Sequence, residues 1–233
     1  PPRTGSTLLR VMLAGHPGLF APPELNLLLF STLQERKEIL AGGAASHLQG
    51  TVRAVRQIRG CGIEEAEQLI SRYENEGMTI QEFYGKMQEW LGDRLLVDKS
   101  PGYAMNAPAM KRVESYFKEP YYIHLLRHPY GMINSYLEAR LDLLIGQQMS
   151  DVFSLNRQEI AEMTWTVNVK NILSVLETVP QDRQLTVKFE DMVNQPGDTA
   201  RAICTFLNLE YNPGMIAPYQ DTDQRMTDGL HDA

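Results

Sequence analysis

The sequence predicts an α/β fold in which a central parallel sheet is flanked by helices. Short apolar runs typical of buried strands occur at residues 95–97, 121–126 and 184–189. Segments with helical spacing separate these runs, so strands and helices alternate along the chain. Strands connected by helices run parallel, because each helix returns the chain to the end of the sheet where the previous strand began. We therefore expect a three-layer arrangement, with one parallel sheet between two layers of helices.

Length and composition are those of one domain, 1–233, with a substantial core. The chain has 233 residues, 43% of them hydrophobic, and no apolar run long enough to suggest a membrane span. Its formal charge of −7 argues against a nucleic-acid surface. Cys61 and Cys204 lie far apart without a CxxC motif, which argues against a disulfide framework or structural zinc and favours a reducing, cytoplasmic setting. The chain lacks an initiator Met and opens in a loop that looks functional, so we expect a piece of a larger multidomain protein with a strand before Pro1.

The first loop has the composition of an anion site. This segment, called the anion loop below, consists of Arg3, Thr4, Gly5, Ser6 and Thr7. It runs directly into a segment with helical spacing that ends at Gly15, and the free N–H groups and dipole of a helix N-terminus attract anions. No Lys precedes Ser6 or Thr7, so this is not a Walker A loop and Arg3 would carry the positive charge. The sequence leaves open a phosphate-like ligand or a capped helix that binds nothing.

Two further segments precede the strand at 95–97. Glu24 follows a Pro-Pro pair and is expected in the first turn of a helix that runs towards Leu40, where the helix dipole alone would explain a carboxylate. Residues 47–91 form a helical insert with predicted helices at 47–59, 63–75 and 79–91. The insert could form a lid or a partner-binding surface. Its large side chains are expected in the core, namely Tyr73, Phe83, Met87 and Trp90.

Polar residues follow the predicted strands at the points where ligands collect in open α/β sheets. Lys99 follows the first strand, Arg127 the second and Phe189 ends the third. Ser135 lies eight residues beyond Arg127 on a helix that begins at Pro129, so the two side chains could bind one anion together. Taken singly, each is equally explained as an ordinary loop or helix residue. Further helices are predicted at about 106–117, 157–177 and 196–207.

Four segments, in this order and across most of the chain, resemble the sulfotransferase family. They are Arg3–Thr7, Leu95–Pro101, Leu125–Pro129 with Ser135, and Val187–Val193. The resemblance implies a P-loop-like three-layer fold and an enzyme that uses 3′-phosphoadenylyl sulfate (PAPS), releases adenosine 3′,5′-bisphosphate and needs no metal. It implies that the anion loop holds the 5′-phosphosulfate and that Arg127 and Ser135 hold the 3′-phosphate. Phe189 stands where many relatives have Tyr, and would keep an aromatic face near the adenine.

The resemblance also implies the catalytic groups. Glu24 occupies the place of the glutamate that takes the acceptor's proton in similar sulfotransferases, which weighs against a purely structural role. Lys99 occupies the place of the lysine that neutralises charge on the bridging and sulfuryl oxygens. We therefore expect Glu24 as general base and Lys99 as electrostatic catalyst.

A narrower resemblance concerns the acceptor. Three segments are similar to sulfotransferase domains of olefin-forming modular polyketide synthases, of the olefin synthase and curacin type: Pro22–Leu25, Arg127–Tyr130 and Met226–His231. The resemblance implies transfer to the β-hydroxyl of a 3-hydroxyacyl chain on an acyl carrier protein. A neighbouring thioesterase would then convert the product to a terminal alkene. Neither a nucleic acid nor a membrane is an expected partner.

Several alternatives remain open at this level. Arg140 could serve the 3′-phosphate or the substrate, or be a plain surface arginine. His231 could assist as an acid or base, or be an ordinary residue near the end of the chain. The acceptor could be a tyrosine, a sugar or a small molecule, and the domain could be a noncatalytic nucleotide-binding module. The basic C-terminal loop of the family, which closes over the nucleotide, is missing before Ala233.

Overall fold

The computed structural model describes residues 1–42, 44–141 and 155–227. The strands are β1 (Leu19–Phe20), β2 (Leu95–Leu96), β3 (Tyr122–Leu126) and β4 (Gln184–Lys188). The helices before β3 are α1 (Ser6–Ala14), α2 (Leu33–Leu40), α3 (Gln49–Arg59), α4 (Ile63–Asn75), α5 (Ile80–Leu91) and α6 (Ala107–Tyr116). Those after β3 are α7 (Pro129–Glu138), α8 (Arg157–Leu176), α9 (Phe189–Asn194) and α10 (Pro196–Phe206).

The strands pair in parallel, as predicted. β3 and β4 align over their whole length, from Tyr122 opposite Gln184 to Leu126 opposite Lys188. β2 pairs with β1, a strand that the sequence analysis did not predict because two residues are too few to show a periodicity. In the part of the chain that the structure describes, these ladders form two separate two-stranded sheets.

A cavity of about 640 Å³ lies between the two sheets. Residues 95–97 line one wall and residues 123–125 line the other, and we call it the inter-sheet cavity. The Leu95 amide donates to the carbonyl of Gly18, just before β1, and the Val97 amide donates to that of Phe20, so the backbone groups of Leu96 face the cavity side. His124 is buried there, and its Nε2 has no hydrogen-bond partner among the described residues. The strand expected upstream of Pro1 stays a prediction, and a parallel strand in this cavity would satisfy the backbone groups of Leu96.

The helical insert has the boundaries that the sequence predicts to within two residues. Thr79 begins α5 with a capping box, in which its side chain accepts from the Glu82 backbone and the Glu82 carboxylate accepts from the Thr79 backbone. Phe83 and Met87 are fully buried, and Tyr73 and Trp90 pack against the same cluster. The apolar face of the insert packs against the apolar side chains of residues 25–30, which follow Glu24 in the chain. The insert thus supports the loop that carries Glu24.

The helix predicted from Glu24 to Leu40 is wrong in its first half. Residues 24–31 form no helix, and α2 begins only at Leu33, where the side chain of Thr32 accepts from the Glu35 amide. Asn26 has a φ of 50°, in the left-handed region, which a right-handed helix cannot include. Glu24 therefore lies in an extended loop, and a helix dipole does not explain its carboxylate.

The remaining predicted helices are confirmed to within two residues, and α9 is an addition. α9 follows β4 without a loop and carries Phe189 as its first residue, so the end of β4 and this side chain are fixed together. α1, α9 and α10 share a core cluster with β3 and β4. The anion loop is thus held beside the carboxyl ends of β3 and β4.

We expect the inter-sheet cavity to accept an added strand. An extension of β-branched residues placed upstream of Pro1 should raise the unfolding temperature, because it can pair with the free strand edges and bury apolar surface. A Gly/Ser extension of the same length is the matched control, and thermal unfolding is the measurement. Equal unfolding temperatures for the two extended chains would contradict this assignment of the cavity.

Candidate active site

The anion loop presents free backbone amides, and one of its three hydroxyl groups is already engaged within the loop. Gly5 is the N-cap of α1 and the helix has no side-chain cap, so its first N–H groups have no partner within the helix. Thr4 is buried, and its hydroxyl donates to the carbonyl of Pro1 at 2.8 Å. The Thr4 hydroxyl therefore braces the loop, and the amides at the start of α1 remain for an anionic ligand.

Gly5 and Phe189 pack so closely that no other residue fits at position 5. Gly5 has a φ of 87°, which L-residues rarely adopt. A Cβ atom at this position would lie 2.3 Å from Cδ2 of Phe189. The start of α9 and the anion loop are thereby held in direct contact.

Two arginines and a serine that are far apart in the sequence meet at this place. Arg3 Nε donates to Ser135 Oγ at 3.1 Å, and Arg127 Nη1 donates to the Arg3 carbonyl at 2.8 Å. The Arg127 guanidinium lies 4.4 Å from the centroid of the Phe189 ring. Neither arginine has a salt bridge to a carboxylate among the described residues. Each guanidinium keeps N–H donors free for an anion, since arginine has five.

Glu190 braces the same region and was missed by the sequence analysis. Its Oε1 accepts a hydrogen bond from the His128 amide at 3.0 Å, which ties the turn after β3 to the start of α9. This hydrogen bond is the main reason that the pKa of Glu190 is lowered. In the sequence, only its place directly after a predicted strand marked Glu190 as a site residue. Acidic residues are also common in such places without any role in a site.

Glu24 and Lys99 form an ion pair across the fold. Lys99 Nζ donates to Glu24 Oε1 at 2.6 Å, although the residues are 75 positions apart. The Lys99 side chain is 15% exposed and that of Glu24 is 41% exposed, so the carboxylate is the more accessible partner. Lys99, Thr4 and Ser6 all line the inter-sheet cavity, so the lysine and the anion loop open onto one space.

Arg10 is a second cation near Glu24 that the sequence analysis missed. It is buried on α1, and its Nη1 donates to the carbonyls of Ala21 and Arg225 at 3.0 and 2.8 Å. Burial lowers the pKa of Arg10 to about 10, repulsion from Arg53 acts in the same direction, and attraction to Glu24 opposes both. Arg10 ties the loop that precedes Glu24 to the helix that follows the anion loop.

The two auxiliary candidates have different outcomes. Arg140 is exposed beyond α7 with a φ of 55°, and no hydrogen bond among the described residues joins its side chain to Arg127 or Ser135. The structure therefore does not bring it into the group formed by Arg3, Arg127 and Ser135, which we call the arginine cluster. His231 lies outside the described residues, and its role stays a prediction.

Neither a metal cluster nor a membrane-spanning helix is found in residues 1–42, 44–141 and 155–227. A metal ion would need three or more His, Cys, Asp or Glu side chains close together, and a membrane span would need a long helix of high hydropathy.

Comparisons with known proteins agree with this geometry. The sulfotransferase domain from the curacin biosynthetic pathway has a TM-score of 0.91 and 40% identity, and the match covers 99% of this chain and 78% of that one. For the sulfotransferase domain of the Synechococcus PCC 7002 olefin synthase the TM-score is 0.86 and the identity 35%, over 96% of this chain and 76% of that one. Among curated proteins, the nodulation protein NoeE of Sinorhizobium fredii (strain NBRC 101917 / NGR234) is 31% identical over 134 residues, which are 58% of this chain and 29% of NoeE. The model of the Sulfotransferase family matches residues 1–213, and the chain belongs to that family.

Proposed function

We propose that this domain transfers the sulfuryl group of PAPS to the β-hydroxyl of a 3-hydroxyacyl chain carried by an acyl carrier protein. The observation that carries the proposal is the Glu24–Lys99 ion pair, whose lysine borders the same cavity as Thr4 and Ser6 and so lies near the anion loop even when a strand fills that cavity. A base and a cation next to an anion site are what in-line transfer to a hydroxyl needs. The chain's family supports the reaction class.

The donor groups of the arginine cluster suit a nucleotide with two anionic ends. The amides at the start of α1 suit the 5′-phosphosulfate. Arg127, Arg3 and Ser135 offer guanidinium and hydroxyl donors for the 3′-phosphate. One face of the Phe189 ring lies against Arg127, so an adenine could use only the rest of the ring surface.

The side chains then have distinct tasks. The nucleotide supplies an activated sulfuryl group, whose bond to the phosphate oxygen breaks as a bond to the acceptor oxygen forms. Glu24 takes the proton from the acceptor hydroxyl. Lys99 moves from its partner carboxylate towards the negative charge that develops on the oxygens around sulfur. Glu24 lies in the loop after β1 and Lys99 in the loop after β2. Either side chain can therefore move during the reaction without the movement of a helix.

The choice of acceptor rests on the solved relatives. One is the sulfotransferase domain from the curacin biosynthetic pathway and the other is that of an olefin synthase, and each match covers nearly all of this chain. An acyl carrier protein is then the partner. The expected next enzyme is a thioesterase that hydrolyses the acyl thioester, after which loss of CO2 and of sulfate leaves a terminal alkene. The net charge of −7 means that a carrier protein, if acidic, must dock on a local basic area.

The proposed function is tested with a panel of acceptors. The domain is incubated with PAPS and, separately, a 3-hydroxyacyl carrier protein, a tyrosine peptide, a sugar and a phenol, and each product is weighed by mass spectrometry. We expect a sulfate mass gain on the 3-hydroxyacyl carrier protein. The 3-deoxy acyl carrier protein is the control that lacks the accepting hydroxyl. Sulfation of another acceptor alone would refute the proposed substrate, and no sulfation of any acceptor would favour a noncatalytic module.

We predict that Glu24→Gln and Lys99→Ala lower the single-turnover rate by roughly tenfold to a thousandfold. Both remove a group that acts on the reacting atoms, so nucleotide affinity should change far less. Rapid-quench kinetics and calorimetric titration with adenosine 3′,5′-bisphosphate measure the two quantities. Glu89→Gln breaks the Lys86–Glu89 ion pair on α5 and serves as control, with an unchanged rate. A full rate for Glu24→Gln would exclude Glu24 as the base.

We predict that substitutions in the arginine cluster weaken nucleotide binding far more than they lower the single-turnover rate. Arg127→Ala and Ser135→Ala should weaken binding of adenosine 3′,5′-bisphosphate by about tenfold or more, because each removes a donor to the 3′-phosphate. Adenosine 5′-phosphate, which lacks that group, should bind equally to the parent and variants. Arg201→Ala removes another arginine stacked on an aromatic ring, that of Tyr211 at 4.8 Å, and is the matched control. Equal losses for both nucleotides would place the 3′-phosphate elsewhere.

A further inference from the structure

A cluster of hydroxyl groups surrounds the carboxylate next to Lys99. Asp98 accepts hydrogen bonds from the hydroxyls of Tyr84, Tyr103 at 2.8 Å and Ser100 at 3.0 Å. All three donors are buried, with at most 8% of their surface exposed. We call Asp98, Tyr84, Tyr103 and Ser100 the Asp98 cluster.

Two of these hydroxyls also bind the loop that carries Glu24. Ser100 Oγ accepts from the Asn26 amide at 3.0 Å. Tyr103 accepts from the amides of Leu27 at 2.8 Å and Leu28 at 3.3 Å. Each hydroxyl therefore donates to Asp98 with its hydrogen and accepts backbone N–H groups with its oxygen. The chain of contacts runs from the Glu24 loop through Tyr103 and Ser100 to Asp98, the neighbour of Lys99.

The third hydroxyl, that of Tyr84, lies beside the Tyr103 hydroxyl but makes no contact of this kind with the Glu24 loop. Tyr84, on α5, donates to the same Oδ2 atom of Asp98 as Tyr103 does. No hydrogen bond among the described residues joins Tyr84 to residues 24–28. The chain thus contains two tyrosines with one acceptor atom in common, and only one of them is attached to the Glu24 loop.

We propose that Tyr103 and Ser100 are positioning residues that hold the Glu24 carboxylate against the Lys99 ammonium. The loop from 24 to 31 has no helix or strand of its own to fix it, so the hydroxyl oxygens replace a backbone ladder. The proposal deepens the proposed function, and rests on it for the consequences for catalysis. The positioning of the Glu24 loop by Tyr103 and Ser100 is argued from the hydrogen bonds alone and holds whichever reaction the domain catalyses.

Burial makes the Asp98 carboxylate depend on its hydrogen-bond donors. Burial raises the pKa of Asp98, whereas the hydrogen bonds from the three hydroxyls and the nearby Lys99 lower it. Loss of the Tyr103 hydroxyl frees the Leu27 and Leu28 amides and leaves Oδ2 with Tyr84 alone, and loss of the Ser100 hydroxyl frees the Asn26 amide and Oδ1. A small displacement of the Glu24 loop follows, and displacements of about 1 Å in a catalytic group can cost about a hundredfold in rate.

The test compares Tyr103→Phe with Tyr84→Phe. We expect Tyr103→Phe to lower kcat by about tenfold to a hundredfold with the affinity for adenosine 3′,5′-bisphosphate within about twofold of the parent. Tyr84→Phe removes the same chemical group from the same carboxylate and should leave kcat within about threefold, even where it lowers the unfolding temperature as much. Ser100→Ala, which frees the Asn26 amide, is the second variant should Tyr103→Phe not fold.

Two readouts do not require any activity. Hydrogen exchange at the Leu27 amide should speed up in Tyr103→Phe and not in Tyr84→Phe. The ammonium resonance of Lys99, assigned with Lys99→Arg, should shift in Tyr103→Phe towards its position in Glu24→Gln. If the unaltered domain sulfates no acceptor, the proposed function fails while these two measurements still decide the positioning role.

The proposal is overturned by either of two results. One is a kcat that falls equally in both tyrosine variants, in proportion to lost stability. The other is a Leu27 amide and a Lys99 resonance that are unchanged in Tyr103→Phe.

Discussion

The hydrogen bonds from the Glu24 loop to two hydroxyls at the end of β2 are the interaction on which the candidate site depends. Residues 26–28 are buried and carry backbone donors that need partners. They find them on Ser100 and Tyr103, which lie beyond the end of β2. A loop early in the chain and a strand end 75 residues later are thereby joined, and the Glu24–Lys99 ion pair forms next to this junction.

A second constraint is the direction of the strands. Because β3 and β4 are parallel, their carboxyl ends lie at one edge, and Arg127 and Phe189 emerge side by side. The close contact of Gly5 with Phe189 brings the anion loop to that edge. A substitution at Gly5 would therefore displace the Phe189 ring and, through it, the Arg127 guanidinium, as well as the anion loop itself.

The candidate site is rich in cations, although the chain as a whole carries a net negative charge. The chain has a formal charge of −7, yet Arg3 and Arg127 have no salt bridge to a carboxylate among the described residues. Lys99 has one, with the proposed base itself. A cationic pocket in an acidic domain attracts an anionic ligand locally, and the surrounding surface supplies no general affinity for polyanions.

Sequence patterns alone predicted the fold class, the strands β2 to β4, the limits of the insert and the pairing of Arg127 with Ser135. These follow from local periodicity, glycine breaks and the rule that ligands collect at strand ends, all of which can be read from neighbouring residues. Tertiary structure decided the rest. The Glu24 loop is not helical, because amides at 26–28 bind hydroxyls that are distant in sequence, and no local pattern encodes such partners. For the same reason the roles of Asp98, Tyr103 and Glu190 appear only once the chain is folded.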